Sequence, residues 1–226
     1  RVLFRSLPWV GQVSINLLRD EELVGLMSAS GCRWIFVGLE SVVPASLAEA
    51  HKDFNKPGEY AATLALLAKH DVYAITSFIY GLDGDETGVS NKTLERIGTW
   101  PPVLPVFGLL TPYPDTPLYR RLEEEGRLSR PLHWLDFQAF KAAFTHRLMT
   151  AADLEAEVHH SWLHSYRQST FRQSQRWLKR NRKNFGYQFM HFISRLFFRG
   201  IYFPQKSRWA WFRLLIANTP TIISLM

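Results

Sequence analysis

Residues 73–85 read YAITSFIYGLDGD, and no other stretch constrains the fold as much. A run of β-branched and aromatic residues stops at Gly81, and Asp83, Gly84 and Asp85 follow at once. A buried parallel strand has this form when it delivers a carboxylate-lined loop to the end of a sheet, where α/β folds hold their ligands. The same grammar recurs in RWIFVGLES (33–41) and VFGLLTPYPDTPLY (106–119). Three strands, each ending in a special loop, predict one shared site.

The segments around them alternate. Residues 9–16 predict a strand with Gln12, Ser14 and Asn16 on one face and Trp9, Val13 and Ile15 mostly on the other, the pattern of a barrel wall with a functional lumen end. Asp20 caps a short helix that Gly31 closes. A strand over 33–39, a helical turn over 46–50, a helix over 60–70 with one apolar stripe and a strand over 72–80 follow. Residues 91–100 read as a helix ended by Pro101 and Pro102, 106–110 as a strand, and 117–125 as a helix stopped at Gly126. Strict strand–helix alternation predicts an α/β fold with parallel strands and right-handed crossovers, a partial (βα) barrel sector. Four strands do not close a barrel, which takes about eight. Thr150 opens another helix, and from residue 171 the chain reads as helical, basic and aromatic, so the expected division is 1–149 and 150–226.

At 226 residues and 46% hydrophobic content the chain has material for a sizeable core, which excludes a disordered protein. Its single cysteine, Cys32, excludes a disulfide framework and any zinc or iron–sulfur site built from this chain's thiolates alone; it reads as a buried small residue in a reducing compartment. The sequence opens on Arg1, with no signal-peptide pattern, and is expected to be a piece of a longer protein. Charge is divided unevenly: residues 1–157 carry 15 Lys/Arg against 20 Asp/Glu, whereas 158–226 carry 12 Lys/Arg and no acid. Only the second part is suited to anionic surfaces.

In order and spacing, GLES (38–41), FIYGLDGD (78–85), LTPYPDTPLY (110–119) and EEEGRL (123–128) resemble the C-terminal half of the radical S-adenosylmethionine enzymes that carry an N-terminal cobalamin-binding domain. The resemblance covers roughly residues 8–168. It implies a partial, six-stranded barrel in which a 4Fe-4S cluster held by CxxxCxxC ligates S-adenosylmethionine. The cysteine loop, the first two strands and the cobalamin domain are not among these residues, so the chain is expected to ligate no metal and to be inactive alone. Where the family commonly has glycine, this chain has Asp115, which tolerates positive φ.

Family likeness and chemistry together name the cofactor-binding candidates. Glu40, at a strand end, can accept from the cofactor's ammonium or ribose hydroxyls, with Ser41 in support. The segment from Phe78 to Gly81 lies by analogy beside the adenine, where glycine permits close backbone approach. Asp83 belongs to the loop that follows, Leu110 and Thr111 close the adenine pocket, and Gln12 and Ser14 line the lumen. The implied function is methyl transfer or carbon-skeleton modification of a small, apolar, lipid-like molecule, in the cytoplasm or at the inner membrane face. The alternatives are a radical S-adenosylmethionine oxidoreductase or methylthiotransferase without cobalamin, and a nonenzymatic module gripping membrane or nucleic acid.

Several residues carry a second reading. Asp83, Gly84, Asp85 and Thr87 mimic the start of a calcium loop, but Leu94 stands where the glutamate would be and a strand precedes the segment, so hydrogen bonding within the loop is favoured. Glu40 can instead pair with Arg33 or Lys52. His160 and His164, four apart, read as solvent-facing unless a third ligand joins them. The aromatic and basic residues from Trp177 to Phe212 suit a membrane interface, packing against other parts of a parent protein, or, less well, nucleic acid. The final WAWFRLLIANTPTIISLM is interrupted by Arg213, Asn218 and Pro220 and suits lying on a membrane better than crossing it.

Overall fold

The structure, a computed structural model, describes residues 7–129 and 137–202 and, beyond them, only Trp209, Arg213, Ile216, Ala217, Thr219, Pro220 and Ile223. The expectations for Phe203, Trp211, Phe212 and Asn218 lie outside the described residues. Two compact units are present, Arg1–Leu163 and His164–Met226.

The first unit is built on strands β1 (Trp9–Val13), β2 (Cys32–Glu40), β3 (Tyr73–Tyr80) and β4 (Leu104–Leu109). They pair in chain order, and every pair is parallel. Sequential order without a switch point is the order of a barrel sector rather than of a doubly wound sheet. The intervening helices are α1 (Glu21–Ala29), α2 (Pro44–Glu49), α3 (Tyr60–Lys69) and α4 (Val89–Gly98), followed by α5 (Pro117–Glu124) and α6 (Ala151–Ser165). Along β2, Ile35, Val37 and Leu39 are buried while Trp34, Phe36, Gly38 and Glu40 are half-buried; along β3, Thr76, Phe78 and Tyr80 are buried and Ile75, Ser77 and Ile79 half-buried. This period of two separates a helix-covered face from a lumen-like face.

Two boundaries differ from the sequence expectation. The first strand stops at Val13, and Ile15–Arg19 is a 3-10 helix that buries Ile15 and Leu18. An apolar pair three apart shares one face of such a turn, and it prevails over the alternation that extends to Asn16. β4 begins at Leu104, so Pro105 sits within it, in register with Thr76. Proline is tolerated because β4 is the last strand of the sheet. Its far edge is covered by side chain and loop: Trp162 Nε1–H donates to the Phe107 carbonyl (2.9 Å) and Leu109 N–H to Ala139 (2.7 Å).

Caps fall where the sequence puts them. Asp20 accepts from Glu22 N–H (2.9 Å) and Leu23 N–H (3.1 Å), and Gly31 takes φ +104°. Thr150 and Asp153 cap reciprocally, each side chain accepting the other's backbone N–H. α6 then locks onto α4. Glu157, buried, accepts from Gly88 N–H (2.6 Å) and Ser90 N–H (2.8 Å), so the first turn of α4 is capped by a carboxylate from another helix. His160 Nδ1 lies 3.0 Å from Ser90 Oγ and is therefore engaged with protein, although it is exposed.

The second unit contains α7 (Gln168–Arg180) and α8 (Phe185–Tyr202). Phe171 and Phe192 meet at 5.2 Å between ring centroids, with Leu196 packed beside them. Arg195 is buried, donates to the Ser165 carbonyl and lies over the Tyr166 ring; burial pushes the basicity of His191 well below its ordinary range.

Replacing Glu157 with Ala leaves the buried Ser90 N–H of α4 and the half-buried Gly88 N–H of its N-cap without their acceptor. Denaturant unfolding should show a loss of about 2–3 kcal/mol, whereas alanine at the exposed Glu86 should change stability by less than about 0.5 kcal/mol.

Candidate functional site

The parallel sheet brings the C-terminal ends of β2, β3 and β4 to one edge. A cavity of about 370 Å3 opens there, lined by Glu40, Ile79, Leu82 and Leu110, by Pro117, Leu118 and Arg121 of α5, and by the stretch from Glu49 to Lys52. Its wall is mostly aliphatic, and Glu40 is the carboxylate contributed by a strand end.

Glu40 owes its place to an irregularity. The β2–β3 register shifts between Gly38 and Glu40, and Glu40 takes φ +63°, a left-handed conformation that costs a non-glycine residue about 1–3 kcal/mol. The carbonyls around the kink are held from outside: Asn55 Nδ2 donates to Gly38 (3.1 Å) and Leu39 (3.0 Å), and the Tyr60 hydroxyl donates to Leu39 (3.0 Å) and Ser41 (3.2 Å). Gly38 clears the path of the side chain, since a Cβ there would overlap Glu40 Oε1 and lie 3.1 Å from its Cδ. Among the described residues Glu40 has no hydrogen bond and no ion pair. Burial raises its carboxyl above the usual range, and the charge of Lys52 opposes that only in part.

The loop after β3 is held by its own carboxylates. Asp85, buried, accepts from Gly81 N–H (3.0 Å), Leu82 N–H (3.3 Å) and Ser46 Oγ (2.6 Å), and burial lifts its carboxyl despite those bonds. Gly81 adopts φ +92°, and Gly84 lets the loop approach the backbone at Ala45 and Ser46. Asp83 pairs with Arg127, with Arg147 Nε 3.3 Å away. Burial acts to raise its carboxyl, but Arg127 and the neighbouring guanidiniums hold it below the ordinary range. Arg121 binds Glu49 (3.0 Å), whose other oxygen accepts Asp83 N–H, so the loop and the α5 wall form one network. His146 ties in the outer layer: Nε2 lies 2.9 Å from the Leu82 carbonyl, and Nδ1 accepts from Leu148 and Met149 N–H.

Of the residues singled out from the sequence, Glu40 and Leu110 line the cavity, and Gly81 lies beside Leu82 at its edge. Phe78 points to the helix-covered face, 1% exposed and stacked on Trp100 and Phe107, and Ile79 takes the cavity side because side chains alternate along a strand. Ser41 is buried and its hydroxyl accepts from Val43 N–H, while the Thr111 hydroxyl donates to the Leu109 carbonyl. Gln12 and Ser14 are exposed, with Ser14 at the start of the 3-10 turn. Asp83 is occupied by arginine. Asp115 adopts φ +65°, the conformation for which glycine or aspartate is suited. Ile79 falls within the expected segment from Phe78 to Gly81, whereas Gly38, Glu49, Asn55, Tyr60 and Arg121 are site residues that the sequence reading does not name. Only Gly38 carried a signal, as a glycine two residues before a strand-end acid. Among the described residues no three His, Cys, Asp or Glu side chains gather as a metal site.

Over 119 residues the chain is 33% identical to the bacteriochlorophyllide d C-12(1)-methyltransferase of Chlorobaculum tepidum, a match covering 53% of this chain and 26% of that protein. It is 29% identical over 117 residues to the hopanoid C-2 methylase of Rhodopseudomonas palustris, covering 52% and 22%. To the anaerobic magnesium-protoporphyrin IX monomethyl ester cyclase of Cereibacter sphaeroides it is 28% identical over 129 residues, covering 55% and 21%. The chain is related to the cobalamin-dependent radical S-adenosylmethionine enzymes. It spans about a quarter of the length of the curated relatives it matches. Among solved structures, the radical S-adenosylmethionine methyltransferase TsrM from Kitasatospora setae, with cobalamin and a 4Fe-4S cluster bound, superposes with a TM-score of 0.49 at 18% identity, covering 54% of this chain and 24% of that one. No family model matches.

Two substitutions test the site's construction. Because Glu40 Oε1 is the end of a flexible side chain, Gly38→Ala should keep the strand register and melt within a few degrees of the wild type, while a crystal structure shows the carboxylate displaced from the cavity rim. Glu40→Gln reads the cost of burial. A carboxyl whose folded value is raised above the unfolded value of 4.5 opposes folding at pH values above its folded titration and has no such effect below 4.5. The variant should therefore unfold at higher denaturant than the wild type at pH 7, and the difference should vanish below about pH 4.5.

Proposed function

We propose that this chain holds S-adenosylmethionine at the C-terminal ends of β2, β3 and β4, inside a cobalamin-dependent radical S-adenosylmethionine enzyme that transfers a methyl group to, or remodels the carbon skeleton of, a small apolar, lipid-like molecule. One observation carries it: a strand-end carboxylate, unpaired among the described residues and held by a strained kink, stands at the rim of a mostly aliphatic cavity. A half-buried carboxylate without a partner is a cost to the fold that a cationic or hydroxyl-bearing ligand removes.

Each part of the cofactor meets a suitable group. Glu40 accepts from the ammonium or the ribose hydroxyls, in a charge-assisted bond. Ile79, Leu82 and Leu110 offer flat aliphatic contact to the adenine, with Gly81 and Thr111 shaping the backbone beside it and Phe78 supporting the strand from behind. Ser41 fixes the turn that follows Glu40, and Asp83 fixes the loop through its arginines. Gln12 and Ser14 contribute from the neighbouring strand end, towards the methionine portion or the substrate.

The fit does not extend to the other cofactors. Cys32 is buried, its thiol pushed up to about 11, and it lies at the opposite end of β2 from Glu40, roughly 25 Å along the strand. We assign the 4Fe-4S cluster and cobalamin to residues outside this chain. The chemistry they supply is reductive opening of the sulfonium and carbon-unit transfer; this chain binds, orients and excludes water. In terms of role, residues 1–149 serve as barrel and 150–226 as extension. The enzyme works in the cytoplasm, with residues 158–226 in peripheral contact with the inner membrane face.

Calorimetric titration of the full-length protein with S-adenosylmethionine tests the site. Glu40→Ala and Gly38→Ala should each weaken binding by about tenfold or more, while Lys69→Ala, on an exposed helix end, leaves it unchanged. Equal affinity in all three variants would overturn the assignment. A full-length protein that purifies and reconstitutes without cobalamin would turn the reading to an oxidoreductase or methylthiotransferase.

A further inference from the structure

The second unit keeps its inner faces small and its outer faces unlike one another. Tyr187, Phe192 and Arg195 of α8 and Phe171 and Leu178 of α7 are buried, and Phe171 meets Phe192. On the outside of α8, Phe185, Phe189, Ile193 and Phe197 recur every fourth residue and are 56%, 42%, 40% and 62% exposed, with Met190 beside them at 43%. That spacing lays them along one side of the helix, and Phe185 stacks on Phe189 at 5.8 Å. Among the described residues these side chains stay exposed rather than joining the Phe171–Phe192 cluster. On α7 the exposed positions Arg172, Arg176 and Arg180 recur at the same spacing and form a cationic face.

We infer that the outer side of α8 is a membrane-docking face, which inserts Phe189, Ile193 and Phe197 into the headgroup–acyl boundary of an anionic bilayer while the arginines of α7 meet lipid phosphates; it rests on the membrane contact proposed above and names the surface that makes it. Three observations select this occupant. The segment 158–226 carries 12 Lys/Arg and no acid, so a second copy of the same surface would be repelled and an anionic one attracted. The stripe is phenylalanine, isoleucine and methionine on a helix, suited to hydrocarbon, whereas nucleic-acid platforms interleave stacking rings with cations on one surface. Finally, no helix among the described residues is long and apolar enough to cross a membrane, and α8, about 27 Å long, has the length to lie along an interface.

Flotation of the 226-residue chain with phosphatidylcholine vesicles, with and without phosphatidylglycerol, tests this. The wild type should float only with the anionic vesicles, and salt should weaken the binding without abolishing it. Phe189→Ser, Ile193→Ser and Phe197→Ser combined should reduce the bound fraction about tenfold or more with unchanged circular dichroism; if the triple variant loses helicity, Phe197→Ser alone serves and should reduce it measurably. Arg172→Glu, Arg176→Glu and Arg180→Glu combined should remove the dependence on phosphatidylglycerol. A wild type that does not float overturns the membrane contact itself. Flotation lost on charge reversal but untouched by the serine substitutions leaves that contact standing and overturns the docking face. A wild-type dimer that becomes monomeric with the serines would give the stripe to a second copy. Competition by RNA without any effect of the serines would give the unit to nucleic acid.

Discussion

Parallel hydrogen bonding between successive strands is the constraint on which the rest of the first unit depends. A parallel pair cannot be closed by a hairpin, so each strand must be followed by a crossover, and every strand then finishes at the same edge. With β1 to β4 paired in chain order, the loops after Glu40, Tyr80 and Leu109 are neighbours although they are some thirty to forty residues apart in sequence. The cavity, the kink at Glu40 and the carboxylate network after β3 are consequences of that convergence.

The three carboxylates at this edge behave differently because their surroundings differ. Asp85 accepts three hydrogen bonds and serves its own loop; Asp83 is neutralised by arginine. Glu40 has neither kind of partner, sits on strained backbone and is raised by burial, while Asn55 and Tyr60 hold the carbonyls that the kink frees from the ladder. Strain together with an unmet, half-buried charge is expensive for a fold. It persists where surrounding contacts over-determine the conformation, which is the usual situation of a binding position.

The second unit follows another logic. Among its described residues, α7 and α8 bury a few rings, while several phenylalanines and arginines on these helices stay exposed. Among the exposed side chains, phenylalanines lie on α8 and arginines on α7, which gives the two helices different surfaces.

Much of this was legible beforehand. Alternation of strand and helix, the caps at Asp20 and Thr150, the breaks at Gly31, Gly81 and Gly126, and the tolerance of Asp115 for positive φ all follow from local chemistry, because backbone sterics and terminal hydrogen bonds are decided within a few residues. Strand direction followed as well, since a helix-length connection between successive strands returns the chain to the same end of the sheet. What the chain alone did not determine was everything that depends on contact at a distance. Tertiary packing turned Ile15 inward and ended β1 early, placed Pro105 inside an edge strand, and brought Glu157 of one helix to the first turn of another. It also chose between Phe78 and Ile79 for the cavity and shifted the β2–β3 register so that Glu40 faces inward. The physical reason is the same throughout: propensity and spacing fix the period of an element, but which face is buried, and which carboxylate goes unpaired, is set by neighbours that the sequence places tens of residues away.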